Sequence, residues 1–304
     1  MSSGFATKQF LNFASLSSSV ANDGGLFAVK DEVRFPYYKV LKPYAGVNSR
    51  FIITPICFSG PYKIDFETFF ASIGTAKHSF KGGFLQTRRT SMPSENFDTF
   101  GDYHVYFDAR VNYRISLQFN DQEYHSSMRR YSRYALRKIL ASGDDYSLVT
   151  FRGNSVELER FAKLYDETAV RVGFDARYRF TASQWKGLLE HDSWDLYLLY
   201  LGSSLIGGAV VTAVETGYDY TFIANDPTFR DSSRALLYFV RKELATRSNL
   251  MLDIGGGIEE GDSLAHFKRS MGGEPVSFLR CKFGHRELFR DAIHARECLS
   301  NHWP

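Results

Sequence analysis

The sequence predicts two mixed α/β domains in tandem, each a mostly antiparallel sheet flanked by helices. Three observations lead there. A chain of 304 residues with 44% apolar and 23% charged residues is long and balanced enough for two globular cores. The second half orders its periodic segments as strand, two helices, three strands, helix, strand, short helix and strand. Between the halves, Ser142-Gly143-Asp144-Asp145 ends a long helical pattern, which places domain boundaries at 1–143 and 144–304.

Taken in order, residues 26–29, 33–41 and 50–57 alternate or run apolar and predict strands. Thr54-Pro55 and Gly60-Pro61 punctuate a loop ahead of a helix near 65–72. A short strand is expected over 104–107. One long helix is then expected over 121–141, with Met128, Tyr131, Ala135, Ile139 and Leu140 along one face. Arg129, Arg130, Arg133, Arg137 and Lys138 lie on its other faces with no acid among them. Such a run is either a solvated face or a surface that meets phosphates, as in a tRNA or a nucleotide-linked substrate.

In the second half, 146–151 reads as a strand, and 156–172 and 182–191 as amphipathic helices. Strands over 196–201, 205–213 and 218–225 are separated by Gly/Ser and Glu-Thr-Gly turns that suit hairpins. A helix over 233–246 precedes the apolar strand 250–254. Gly255-Gly256-Gly257 then turns the chain, Asp262 or Ser263 caps a short helix, and Gly272 closes it. Phe267 is expected to face inward, with Lys268 and Arg269 outward. Three glycines at a strand end serve either a tight turn or the approach of a ligand to the backbone. They form no P-loop, because no Gly-Lys-Ser/Thr follows, and no dinucleotide fingerprint. A strand over 276–283 and a helix over 287–299 complete the chain.

Composition narrows the function classes. Net charge is only +3, too small for a protein that coats nucleic acid. Cys57, Cys281 and Cys298 are far apart and odd in number, which fits a reducing compartment and neither a disulfide framework nor a zinc site. The eight histidines show no metal-ligand spacing, so no metal is expected. The first 25 residues have no signal-peptide pattern, and the apolar stretch 196–214 is interrupted by Gly-Ser-Ser and Gly-Gly. The expected location is the cytoplasm, with no membrane span.

Read together, Asp253-Ile254-Gly255-Gly256-Gly257, an acidic spacer, Asp262-Ser263-Leu264, Phe267-Lys268-Arg269 and Gly272-Gly273-Glu274 resemble the C-terminal signature of FemAB-like acyltransferases. These are GNAT-fold enzymes best known for adding amino acids to peptidoglycan precursors. The resemblance extends over about 54–283 and includes the Thr54-Pro55 to Gly60-Pro61 loop and the Arg-rich helix. This chain departs from the family in having Ile56-Cys57 in the loop. Tandem GNAT-like domains are what the resemblance implies, and the element order of the second half agrees with a GNAT unit.

The resemblance also implies a chemistry. GNAT enzymes hold an acyl donor's phosphates at the start of the helix after the fourth strand, where free amides and the helix dipole favour anions. Here that stretch offers Arg230, Ser232, Ser233 and Arg234, with Ser233 where glycine is usual. It is either a donor site or a capped surface helix. Lys268 is the candidate for stabilising charge on the reacting carbonyl, since the family's lysine faces the substrate channel. Asp253 and Glu259 are candidates to bind or deprotonate the amine. Arg171 and Arg177 resemble family arginines near acceptor phosphates, and Gly255, Gly256 and Gly257 line the substrate side.

No permanently bound cofactor is expected. The co-substrate would be acyl-CoA, an acyl carrier protein thioester or aminoacyl-tRNA, and the lack of a helical arm or heptad stretch tilts toward a thioester. The acceptor would be an amine on a cell-envelope precursor, a peptidoglycan peptide or an amino sugar. The alternative is a non-enzymatic nucleic-acid-binding protein that uses the basic helix 129–138.

Overall fold

The computed structural model describes residues 24–29, 33–44, 47–53, 70, 82–87, 95–143, 145–174, 178–214, 217–247, 250–257 and 261–301. The chain divides into two units, one formed by Phe5–Arg110 with Ser277–Pro304, the other essentially by Val111–Val276. The expected boundary at Ser142 to Asp145 falls inside the latter. The Thr54 to Pro61 loop and nearly all of the helix expected after it lie outside the described residues.

In the first of these units, β1 (Gly24–Val29), β2 (Val33–Tyr44) and β3 (Val47–Ile53) are antiparallel neighbours, and β4 (Gly82–Thr87) runs parallel to β3. β5 (Phe97–Phe100) turns into β6 (Tyr103–Ser116), and the last strand, Glu274–His285, pairs antiparallel with β4. The sequence predicted only four residues of β6, yet the strand continues to Ser116. Its buried residues keep period 2 at both ends, at Tyr103, Val105 and Phe107 and again at Tyr113 and Ile115, with an exposed Ala109 and a buried Asn112 between them. Asp108, Arg110 and Arg114 on the opposite face hid the alternation.

The other unit takes the remaining part of β6 into a sheet whose strands follow it in the order Met251–Gly256, Gly217–Asn225, Ser204–Val214, Trp194–Leu201 and Tyr146–Thr150. Ahead of its strands come α1 (Asp121–Ser127) and α2 (Arg130–Ala141), where one helix was expected. An Asn120–Glu123 capping box starts α1. The break falls at Met128 and Arg129, both extended. Met128 is buried in the core, and the Arg129 N–H donates to the Ser270 carbonyl at 3.0 Å. No local breaker marks this point; a distant acceptor and a burial site impose it.

β7 (Tyr146–Thr150) is followed by α3 (Ser155–Val172), which Gly173 ends with φ 71°, and by α4 (Ala182–Leu189). The meander β8 (Trp194–Leu201), β9 (Ser204–Val214) and β10 (Gly217–Asn225) is antiparallel. Then α5 (Ser232–Ala245) leads to β11 (Met251–Gly256), parallel to β10, and to α6 (Ser263–Ser270). Gly207-Gly208, which looked like punctuation, lies within β9. A side chain on Gly207 would press on Leu236 of α5 at 3.3 Å, and one on Gly208 would strike the Phe161 ring of α3 at 2.6 Å. Successive residues face opposite sides of a strand, so the pair admits a helix against each face. No described helix is long and apolar enough to cross a membrane.

Candidate active site

The site begins where two strands part. β10 and β11 pair only from Gly217↔Met251 to Asp219↔Asp253 among the described residues. On its other edge β11 pairs Asp253 with Arg114 of β6, then shifts register so that Gly256 stands opposite Asn112. Gly255 makes this bulge with φ 72°, a conformation costly for any side chain. At Gly256 a Cβ would run into the Val111 carbonyl. Two of the three glycines therefore shape the backbone, and Gly257, half-buried, follows them.

Asp253 is buried, and its carboxylate accepts from Arg114 Nε at 3.2 Å, from Asn112 Nδ2 at 3.2 and 3.4 Å and from the Gly255 amide at 2.9 Å. A charged carboxylate can stay buried only with such compensation. Four donor contacts leave it holding β6, β11 and the bulge together. Asn112 Oδ1 is buried with no protein partner, beside the Gly256 position.

Lys268 reaches this bulge from α6. Asp262 is the cap, accepting the Ala265 amide at 2.7 Å. The expectation that Lys268 points outward is corrected. Ala265, Lys268 and, just past the helix, Met271 form the buried face at spacings of three, and Phe267 is only half-buried. Arg269 does face out and donates to the Tyr113 hydroxyl at 3.3 Å. Lys268 Nζ donates to the Gly256 carbonyl at 2.7 Å. Burial lowers its pKa to about 8, with Asp253 and Asp262 opposing that shift. The position in the last turn of α6 also favours a cation.

A second group of charges gathers where β10 gives way to α5. Arg234 lies over the rings of Tyr131 and Phe267, 5.0 and 5.5 Å from their centroids. Its guanidinium binds Asp231 and donates Nε to Ser132 Oγ at 3.3 Å. Arg230 is exposed, 3.8 Å from Asp231. Ser232 is buried and donates its hydroxyl to the Asp226 carbonyl at 3.2 Å, whereas Ser233 is half-buried. Arg171, at the end of α3, donates to the Asn225 carbonyl at 3.1 Å, and Asn225 Nδ2 donates to Ser232 Oγ at 3.4 Å.

The structure thus brings Lys268, Asp253 and Gly256 together, and Arg171, Ser232 and Arg234 near the start of α5. The Arg234–Phe267 stack links the two groups. Arg177 and Glu259 lie outside the described residues. Asn112, Arg114 and Asp231 were missed. Asn112 and Arg114, two apart within Val-Asn-Tyr-Arg-Ile, carry a period-2 signal that lies beyond the strand expected over 104–107.

A buried ammonium that donates to the carbonyl of a strand bulge suits charge stabilisation next to a backbone turn. Residues 126–269 match the family model described as an acetyltransferase (GNAT) domain. No curated protein matches the chain. Among solved structures the chain is similar to FemX, with 14% identity, TM-score 0.59 and 90% of each chain covered. It is also similar to L-PGS from Bacillus licheniformis, with 9% identity, TM-score 0.58 and 98% of each chain covered. A Bacteroides thetaiotaomicron protein of unknown function gives 10% identity, TM-score 0.56 and coverage of 92% of this chain and 90% of that one. At these identities the structures share the fold. The fold is GNAT-like, and within it residues 126–269 form an acetyltransferase (GNAT) domain by their match. GNAT domains take acyl-CoA as co-substrate.

Proposed function

We propose that this protein is an N-acyltransferase or aminoacyltransferase that acts in the cytoplasm on an amine of a cell-envelope precursor, a peptidoglycan peptide or an amino sugar. The donor is a thioester on coenzyme A or a carrier protein, or an aminoacyl-tRNA. The amine nitrogen attacks the acyl carbonyl, a C–N bond forms, and the C–S or C–O bond breaks. The thiol or hydroxyl leaving group takes up the proton the amine gives up. Between these events the carbonyl oxygen carries negative charge.

Lys268 is the group that meets this charge. One observation carries the reading: a buried ammonium at the Gly255–Gly256 bulge, held by a backbone carbonyl and little hydrated. Such a donor is worth most where water is excluded. Asp253 serves as a positioning residue, because its oxygens are engaged by Asn112, Arg114 and the Gly255 amide. Incubating the protein with donor and amine pairs and following amide formation by mass spectrometry tests the reading. Product with wild type and none with Lys268→Met supports it; equal turnover in both removes Lys268 from the chemistry.

The aminoacyl-tRNA donor has its own support on α2. Tyr131 and Tyr134 are 57% and 68% exposed, and Arg129, Arg130, Arg137 and Lys138 around them are exposed as well. Cations interleaved with open aromatic rings suit a polyanion with stackable bases. A salt-dependent gel shift with tRNA and with generic duplex separates a carrier contact from non-specific binding.

A further inference from the structure

A strand at the end of a sheet turns one row of backbone donors and acceptors outward, and proteins blunt such edges with charge, proline or a bulge. β7 is the last strand of its sheet and pairs with β8 alone among the described residues. The ladder runs from Tyr146↔Leu201 to Thr150↔Tyr197 with no shift of register. Just beyond its ends, the Gly202 N–H donates to the Asp145 carbonyl and the Phe151 N–H to the Leu196 carbonyl, both at 2.8 Å. These bonds mark the odd-numbered residues as the ones whose backbone faces β8. The amides and carbonyls of Leu148 and Thr150 therefore point away from the sheet.

The strand carries none of the usual devices. Tyr146-Ser147-Leu148-Val149-Thr150-Phe151 holds no charge, proline or glycine, and its ladder has no bulge. Tyr146 and Leu148 pack on the core from one face, while Ser147 and Val149 are exposed on the other, Val149 at 37%. Leu140, on the segment leading into the strand, and Val156, on the segment leading out, are 44% and 53% exposed. The charges stand at the two ends: Asp144-Asp145 before the strand and Arg152 after it. A second copy of this strand laid antiparallel brings its basic end to the acidic end of the first. A parallel copy sets like charge on like.

We propose that β7 is the dimer edge of this protein: two copies pair β7 with β7, antiparallel about a two-fold axis between Val149 and the partner's Val149. The axis stands normal to the sheet, so matching faces stay together and the sheet runs on from one copy into the other. Leu148 exchanges both backbone hydrogen bonds with the partner's Thr150, and Thr150 does so with the partner's Leu148. Val149 meets the partner's Val149 as a non-hydrogen-bonded pair with Cα atoms about 4.5 Å apart, which covers an exposed β-branched side chain on each copy. Arg152 comes within one residue of the partner's Asp145. Such an interface is isologous and closed, so assembly stops at two copies. It stands independently of the acyl-transfer reading.

Sedimentation velocity of the full chain at tens of micromolar tests this in wild type, Val149→Lys and Val149→Glu, with a thermal melt to check folding. Wild type is expected to be a dimer, and each variant, which sets like charges opposite each other, to dissociate at least tenfold more readily. An equal mixture of the two variants is expected to restore the dimer, because lysine then faces glutamate, and mixing does not repair a folding defect. A monomeric wild type overturns the proposal, as does a dimer that survives Val149→Lys or a mixture that stays monomeric. Under mild oxidation Val149→Cys is expected to give a disulfide-linked dimer. Ser147→Cys is not, because Ser147 stands opposite the partner's Phe151, four residues from the partner's Ser147. Wild type controls for the native cysteines, and cross-linking through Ser147→Cys overturns the register. Hydrogen exchange closes the test: protection of the Leu148 and Thr150 amides should fall on dilution. Protection that persists in monomeric Val149→Lys means that another segment of the same chain covers this edge, and the proposal fails.

Discussion

Two clusters of positive charge stand a short way apart in one unit, and they are spent differently. At the β11–α6 bulge, Lys268 is buried, and burial brings its pKa down to about 8. Its neighbour Asp253 is the hub of a network with Arg114 and Asn112. At the α5 start, Arg234 and Arg230 are paired with Asp231 beside them in the chain. The first arrangement keeps a cation in a dry place facing a backbone turn. The second sets two guanidiniums against a single carboxylate. Both stretches read alike in sequence, as basic residues next to a helix end, so residue type alone does not separate a buried cation from an ion-paired one.

The sharpest way to break this contrast is Lys268→Met. Turnover is expected to fall by about 10²–10³, or about 3–4 kcal/mol of transition-state stabilisation. Stability at pH 7 is expected to hold or rise, because an apolar chain replaces a buried charge. Steady-state kinetics with a denaturant titration checks both halves, and loss of folding in place of loss of turnover would refute the assignment.

Arg114→Met comes next, since it leaves the Asp253 carboxylate buried beside Asn112 without its arginine. A loss of about 3 kcal/mol in unfolding free energy is expected, most of it recovered when Asp253→Asn is added. Arg230→Ala, at an exposed pair, is expected to change stability by less than about 0.5 kcal/mol. Equal losses at the two sites would erase the difference between the clusters.

Gly256→Ala forces a methyl toward the Val111 carbonyl, and overpacking of this kind costs about 2 kcal/mol. It also displaces the carbonyl that holds Lys268, so kcat should drop more than KM rises.

The smallest effect is read from pH. If the ammonium form of Lys268 is the active one, kcat declines as pH rises through about 8. The folded pKa lies below the ordinary 10.5, so between the two values the unfolded chain binds the extra proton. Lys268 therefore adds to stability as pH climbs from about 8 toward 10.5, and its charge is a cost below 8. That increment should be missing in Lys268→Met. Asp253→Asn, which removes a charge that favours the ammonium, should move the kinetic limb to lower pH.

Much of the fold was determined by the sequence alone, because its signals are local. The meander β8–β10 and helices α3 to α6 follow from period 2 and period 3.6 alternation, with Gly173 and Asp262 acting within a turn of the ends they close. Spacing alone shows the strand, glycine turn and capped helix from Asp253 to Lys268, and only the resemblance to FemAB-like acyltransferases makes that stretch a candidate site. Tertiary structure decided the rest. The break at Met128–Arg129 depends on a carbonyl of Ser270, some 140 residues on in the chain. The length of β6 depends on which of its faces is covered. The inward turn of Lys268 depends on a bulge that offers the Gly256 carbonyl as acceptor, and the pairing of Asp253 depends on Asn112 and Arg114 arriving from another strand. Periodicity records which residues share a face. Which face meets a partner, and whether a charge there is compensated, is fixed only by atoms brought in from far along the chain.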